Sequence, residues 1–162
     1  MLKTYHLYIL HKFLKLFLIV SLVFLSLTII LNIFEEISFF KNIDVISIMP
    51  YFLTLLNAPI TLFEIFPFVF LITTQFFFYE IIKNDELTLF KNIGISNFKI
   101  ITILFFFTVI MGLFIIIIYY NFSSKLKFIY FDLKNNYSND NKYLAVVTDN
   151  GLWIKDEIEE GI

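Results

Sequence analysis

Four uncharged runs, at 16–34, 45–63, 65–79 and 100–124, constrain this chain more than any other feature. They hold 19, 19, 15 and 25 residues, against the roughly 20 that a helix needs to cross the hydrocarbon core of a bilayer. With 59% hydrophobic and only 16% charged residues among 162, the chain lies outside the range of an ordinary soluble domain. It reads as an α-helical integral membrane protein. The first run is followed by Asn32, Ile33, Phe34, Glu35 and Glu36, not by small residues at a cleavage site, so it is an anchor and not a removable signal.

The third run is too short to span alone. Joined to the second through Glu64, it is too long for one straight span, and the joined stretch contains Pro50, Pro59 and Pro67. A proline disfavours helix at the residue before it and is tolerated in a first helical turn. The division is therefore expected at Ala58-Pro59, with 35–58 an interfacial segment outside the membrane and 59–79 the second span. Glu64 and Pro67 fall in the outer part of that span. An acid in lipid is costly, so Glu64 is expected to face the interfacial zone or a polar cavity, with headgroup water ahead of a direct substrate contact.

Lysines set the orientation. Lys3, Lys12 and Lys15 precede the first span without an acid, whereas the next loop carries Glu35, Glu36 and Asp44 against Lys41. The positive-inside rule then makes 1–15 a cytoplasmic leader, 16–34 the first span, and the loop after it external. Lys83, Lys91 and Lys99 return 80–96 to the cytoplasm, and 97–124 is the third span. Lys125, Lys127 and Lys134 oppose this assignment, although the rule weakens when a whole domain is translocated. Beyond 124, a helical continuation, the polar "NNYSNDNK" at 135–142 and two strand-like stretches around Asp149-Asn150-Gly151 read as the start of a β module in 125–162. The 38 residues after Ser124 stand at the limit for an unaided domain, so that module is expected to be incomplete.

Several function classes have nothing to stand on. Four glycines, at 94, 112, 151 and 161, build neither a dinucleotide fingerprint nor a Walker loop. His6 and His11 have the wrong spacing for a helical zinc pair, cysteine is absent, and no nucleophile-base-acid set can be assembled. Adjacent acids such as Glu35 and Glu36 point their helical side chains apart. The expectation is a non-enzyme without cofactor or metal, and the net charge of −2 offers no footprint for nucleic acid.

The stretch "NDELTLFKNIGIS" at 84–96 interrupts the apolar sequence. Asn84 can cap a short helix with Asp85 and Glu86 in its first turn, where the helix dipole favours acids. Leu87, Phe90 and Ile93 recur every three residues as one apolar stripe, Lys91 sits near the end, Gly94 suits the exit, and Ser96 can cap the third span. Two compatible readings follow: a surface helix lying on the headgroups, or a coupling helix that fits a groove on a soluble partner and moves both attached spans.

"DELTLFKNIGIS" (85–96) resembles the cytoplasmic "sELtaLRaaGiS" of the lipopolysaccharide export permeases, the LptF/LptG type also called the YjgP/YjgQ family. "NAPITLFEIFPFVFLI" (57–72) is similar to that family's second span, "IFEEI" (33–37) to the end of its first, and "NGLWIKD" (150–156) to the opening of its periplasmic β-jellyroll. Four motifs in the family's order make a specific signal, and "GLWIKD" with "EE" leans to the G-type subunit.

The resemblance implies three transmembrane helices, a cytoplasmic coupling helix and the start of a periplasmic jellyroll-like domain, in a bacterial inner membrane with the amino terminus cytoplasmic. It covers the family's amino-terminal half. The implied function is a permease subunit of an ABC-type exporter that extracts lipopolysaccharide from the membrane. The implied partners are a cytoplasmic ABC ATPase dimer, a sister permease subunit, periplasmic bridge proteins and membrane lipid. On this resemblance Glu86 pairs with the ATPase, Leu87 and Phe90 fill its groove, Lys91 stands where the family usually has arginine and loses the bidentate fork, and Gly94 allows the turn. Glu35 and Glu36, with Glu64 and Pro67, would line the lipid path. Phe122 departs from a common Asn-Pro. A non-transporting membrane anchor or scaffold, or the permease of another ABC system, are the alternative readings.

Overall fold

A computed structural model describes residues 4–43, 46–137, 145–148 and 151–154. Helix α1 covers Thr4–Phe39 and ends in a 3-10 turn at Phe40–Asn42. Helices α2 (Met49–Glu64), α3 (Phe66–Lys83), α4 (Glu86–Asn92) and α5 (Asn97–Phe114) follow, and a π-helical segment, Ile115–Tyr119, leads without a break into α6 (Tyr120–Asn135). Strands β1 (Ala145–Thr148) and β2 (Gly151–Ile154) pair antiparallel, with Val146 opposite Trp153. Among the described residues, three helices are long and apolar enough to cross a membrane: Thr4–Phe39, Phe66–Lys83 and the continuous Asn97–Asn135.

The expected leader is already helical from Thr4, because nothing between it and the apolar run breaks a helix: α1 contains neither glycine nor proline. The expected division at Ala58-Pro59 is corrected. α2 runs through Pro59, and the break falls at Ile65, with Pro67 in the first turn of α3. A proline inside a helix removes one backbone donor, whereas in a first turn that donor has no intrahelical acceptor to lose. Of the two prolines, Pro67 therefore marks the start, and the second candidate span moves from 59–79 to Phe66–Lys83. The described strands form one hairpin, which is less than the expected jellyroll-like domain; Asp149 and Asn150 of the expected turn lie outside the described residues.

By their internal contacts the residues form two units, Met1–Ser26 with Glu64–Tyr119, and Leu27–Phe63 with Tyr120–Ile162. In the first, α1 buries Ile9, Phe13, Phe17 and Val20, and α3 buries Val69, Thr73, Phe77 and Ile81, both at the helical repeat that makes one stripe. The Phe13 ring meets Phe77 edge-on at 5.8 Å and Phe107 at 6.0 Å, and so joins α1, α3 and α5. In the second unit, Phe40, Leu53, Leu56 and Tyr130 form the apolar core.

There the late turns of α1 are built in reverse of a soluble helix. Thr28, Asn32 and Glu36, spaced by four, are buried, while Leu31 and Phe34 are exposed. In a hydrocarbon solvent apolar side chains cost nothing outside, and polar ones need partners inside.

Because Phe13 has no exposed surface, Phe13→Ala removes contacts to two other helices at once. The expected cost to the full-length protein in detergent is about 3 kcal/mol, read as a lowered midpoint of thermal inactivation. Phe105→Ala, at a side chain 62% exposed, is expected to leave that midpoint almost unchanged.

Candidate functional site

Helix α4 is closed by tight turns at both ends. α3 stops at Lys83, and the chain reverses through Asn84 and Asp85, the latter left-handed at φ 55°. Aspartate tolerates that conformation better than most residues. The cap residue is thus Asp85 and not Asn84, no side chain caps the helix, and Glu86 is the acid of the first turn.

At the other end Gly94 has φ +79°, its N–H donates to the Lys91 carbonyl at 2.9 Å, and the Ile95 N–H donates to the Phe90 carbonyl at 2.9 Å. This pair of bonds is a Schellman closure, which needs a left-handed residue where Gly94 sits. Ile95 and Phe90 are both buried beside it, the apolar contact that usually accompanies the motif. The Ser96 hydroxyl then accepts from the Lys99 N–H at 3.4 Å and caps α5, as the sequence predicts.

Glu86 is turned inward, toward α1. Its Oε1 accepts from Lys12 Nζ at 2.7 Å and from the Tyr8 hydroxyl at 2.9 Å, both on α1. The Lys12 and Glu86 side chains are only 13% and 15% exposed. Lys12 Nζ also stands 3.6 Å from Glu80 Oε2 at the end of α3. The other oxygen of Glu86, Oε2, is buried and accepts no hydrogen bond. The Tyr8 ring meets Phe90 edge-on at 6.2 Å.

The expected stripe of Leu87, Phe90 and Ile93 splits. Phe90 is buried, Leu87 half-buried, and Ile93 exposed beyond the last helical residue. Leu89, Lys91 and Ile93 face outward instead. Phe90 packs within its own unit, so the apolar side chains open to a partner are Leu89 and Ile93.

Around the second candidate region, Glu35 is exposed and Glu36 has 1% exposure. Adjacent helical positions diverge by about 100°, and one acid turns in while the other turns out. Glu36 Oε1 accepts from Lys134 Nζ at 2.9 Å and from the Tyr130 hydroxyl at 2.8 Å, and Lys134 also donates to Tyr130 at 2.6 Å. The ammonium lies over the rings of Phe39 and Tyr130 at 4.7 and 5.0 Å. Glu64, the last residue of α2, and Pro67, in the first turn of α3, are exposed on either side of the Ile65 break.

Four residues of these clusters are not legible as site residues in the sequence. Lys12 and Lys134 read only as charges that set orientation, and Tyr8 and Tyr130 carry no signal beyond their i, i+4 spacing from those lysines, which puts each pair on one helical face.

A family model described as lipopolysaccharide export system permease LptF/LptG matches residues 7–159. Searches of curated proteins and of solved structures returned no match.

The buried Glu36–Lys134 pair predicts an asymmetric mutational response. Lys134→Met leaves a buried carboxylate without its cation and is expected to cost about 3–5 kcal/mol, whereas Lys134→Met combined with Glu36→Gln removes both charges and recovers most of that loss. Thermal unfolding of the full-length protein in detergent measures the difference.

Proposed function

We propose, from the premise that this chain belongs to the LptF/LptG family of lipopolysaccharide export system permeases, that α4 is the coupling helix by which a separate cytoplasmic ABC ATPase dimer drives it. Membership makes the chain a membrane permease component of lipopolysaccharide transport. The finer assignment is a half-transporter in the bacterial inner membrane, with a cytoplasmic amino terminus, a sister permease subunit beside it and periplasmic bridge proteins receiving the lipid.

The observation that carries the coupling role is the outward face of α4. A seven-residue helix between two candidate spans, closed by turns at both ends, exposes Leu89, Lys91 and Ile93. Apolar side chains with a neighbouring cation suit a groove on a soluble partner. Phe90 and Leu87 support that face from beneath, Gly94 sets the exit angle, and Glu86 is the acid assigned to a cation of the ATPase. Orientation is supported by Lys12, Lys83, Lys91 and Lys99 on the α4 side. The lipid path assigned to Glu35, Glu36, Glu64 and Pro67 belongs to the same proposal, with Glu35 the acid open to a ligand, and the β1–β2 hairpin begins the periplasmic domain.

Co-purification of the ATPase with full-length protein tests this reading. Leu89→Asp and Glu86→Ala are each expected to lower the recovered ATPase by about tenfold or more, the scale of one hot-spot side chain. Undiminished assembly and lipid export in both variants would contradict the coupling role.

A further inference from the structure

One ammonium on α1 is tied to two other helices. Lys12 Nζ stands 2.7 Å from Glu86 Oε1 on α4 and 3.6 Å from Glu80 Oε2 on α3. Tyr8, one turn earlier on the same face of α1, donates to the same Glu86 oxygen. The Lys12–Glu86 bond joins residues 74 apart in sequence, so it fastens α4 to a helix with which it shares no loop.

We infer that Lys12 is the positioning residue for Glu86: it fixes the carboxylate by Oε1 and carries displacement of α4 into α1. The inference rests on the reading of α4 as a coupling helix and adds the route by which movement leaves it. A carboxylate has lone pairs on both oxygens and can hold donors from two sides at once. Oε1 has two donors, and both come from one face of α1.

On the other side of the junction, α1 is a single 36-residue helix without glycine or proline, so a pull at Lys12 is not absorbed by a local break. Without the ion pair, α4 is held by its two turns and by the packing of Phe90, and can tilt without α1.

The test uses the full-length chain in the assembled exporter, reconstituted in vesicles that contain lipopolysaccharide. It reads ATPase retained, ATP hydrolysed, and lipid released per ATP. Lys12→Met is expected to lower the ATPase retained and, in the complexes that still form, to release about tenfold less lipid per ATP hydrolysed. Lys12→Arg, which keeps a cation at that place, is expected to restore most of the ratio.

A merely structural role would lower the amount of complex and leave the ratio unchanged. A native ratio in Lys12→Met, or a loss that Lys12→Arg does not rescue, overturns the inference. Should Lys12→Met fail to assemble, Lys12→Gln, which keeps a hydrogen-bond donor without the charge, decides: a reduced ratio supports the positioning role, and a native ratio refutes it. Failure of the coupling-helix reading shows separately, as ATPase binding that Leu89→Asp does not weaken.

Discussion

Lys12 and Glu86 meet at 2.7 Å with little water around either, and the first unit is organised by that contact. Two charges in such a setting are tolerated only together, since a lone one bears the full desolvation cost. The pair therefore fixes which turn of α1 lies against the start of α4. With that register set, Phe90 comes against Tyr8 and Phe13, one residue after Lys12, comes between Phe77 and Phe107. The Schellman closure at Gly94 returns the chain to α5, and the apolar packing follows from a polar constraint.

The second unit repeats the logic with other residues. Glu36 shares one oxygen between Lys134 and Tyr130, and Asn32 reaches Thr61 on α2 at 3.5 Å. The charged pair is thus internal and set against the Phe39 and Tyr130 rings, while the outward faces are leucine, isoleucine and phenylalanine. A soluble protein would gain from reversing this arrangement. A chain whose outer solvent is lipid gains nothing by hiding those apolar side chains, and association there depends on packing and on polar contacts.

What the sequence revealed followed from local physics. Uncharged runs located three helices able to cross a membrane, the i, i+3 spacing and Gly94 located α4, and Ser96 marked the start of α5. The two stretches around Gly151 paired as strands. Two kinds of feature stayed hidden. The break between α2 and α3 depended on a choice between Pro59 and Pro67, each compatible with a first helical turn, and local rules do not rank them. The partners of Glu86 and Glu36 lie far along the chain, and lysine or tyrosine at one turn's spacing is too common to flag either cluster. Glu86 consequently read only as a first-turn acid, although the fold gives it an internal cation. Phe90 read as a contact residue, although it is buried, with Tyr8 edge-on to its ring.

The account depends most on α4 lying on the cytoplasmic side with Leu89 outward. Because the chain contains no cysteine, Leu89→Cys supplies a single thiol that a membrane-impermeant maleimide can report without background. The account predicts labelling in inverted membrane vesicles, absence of labelling in intact spheroplasts, and protection when the ATPase is bound. Labelling of intact spheroplasts, with inverted vesicles unreactive, would contradict it.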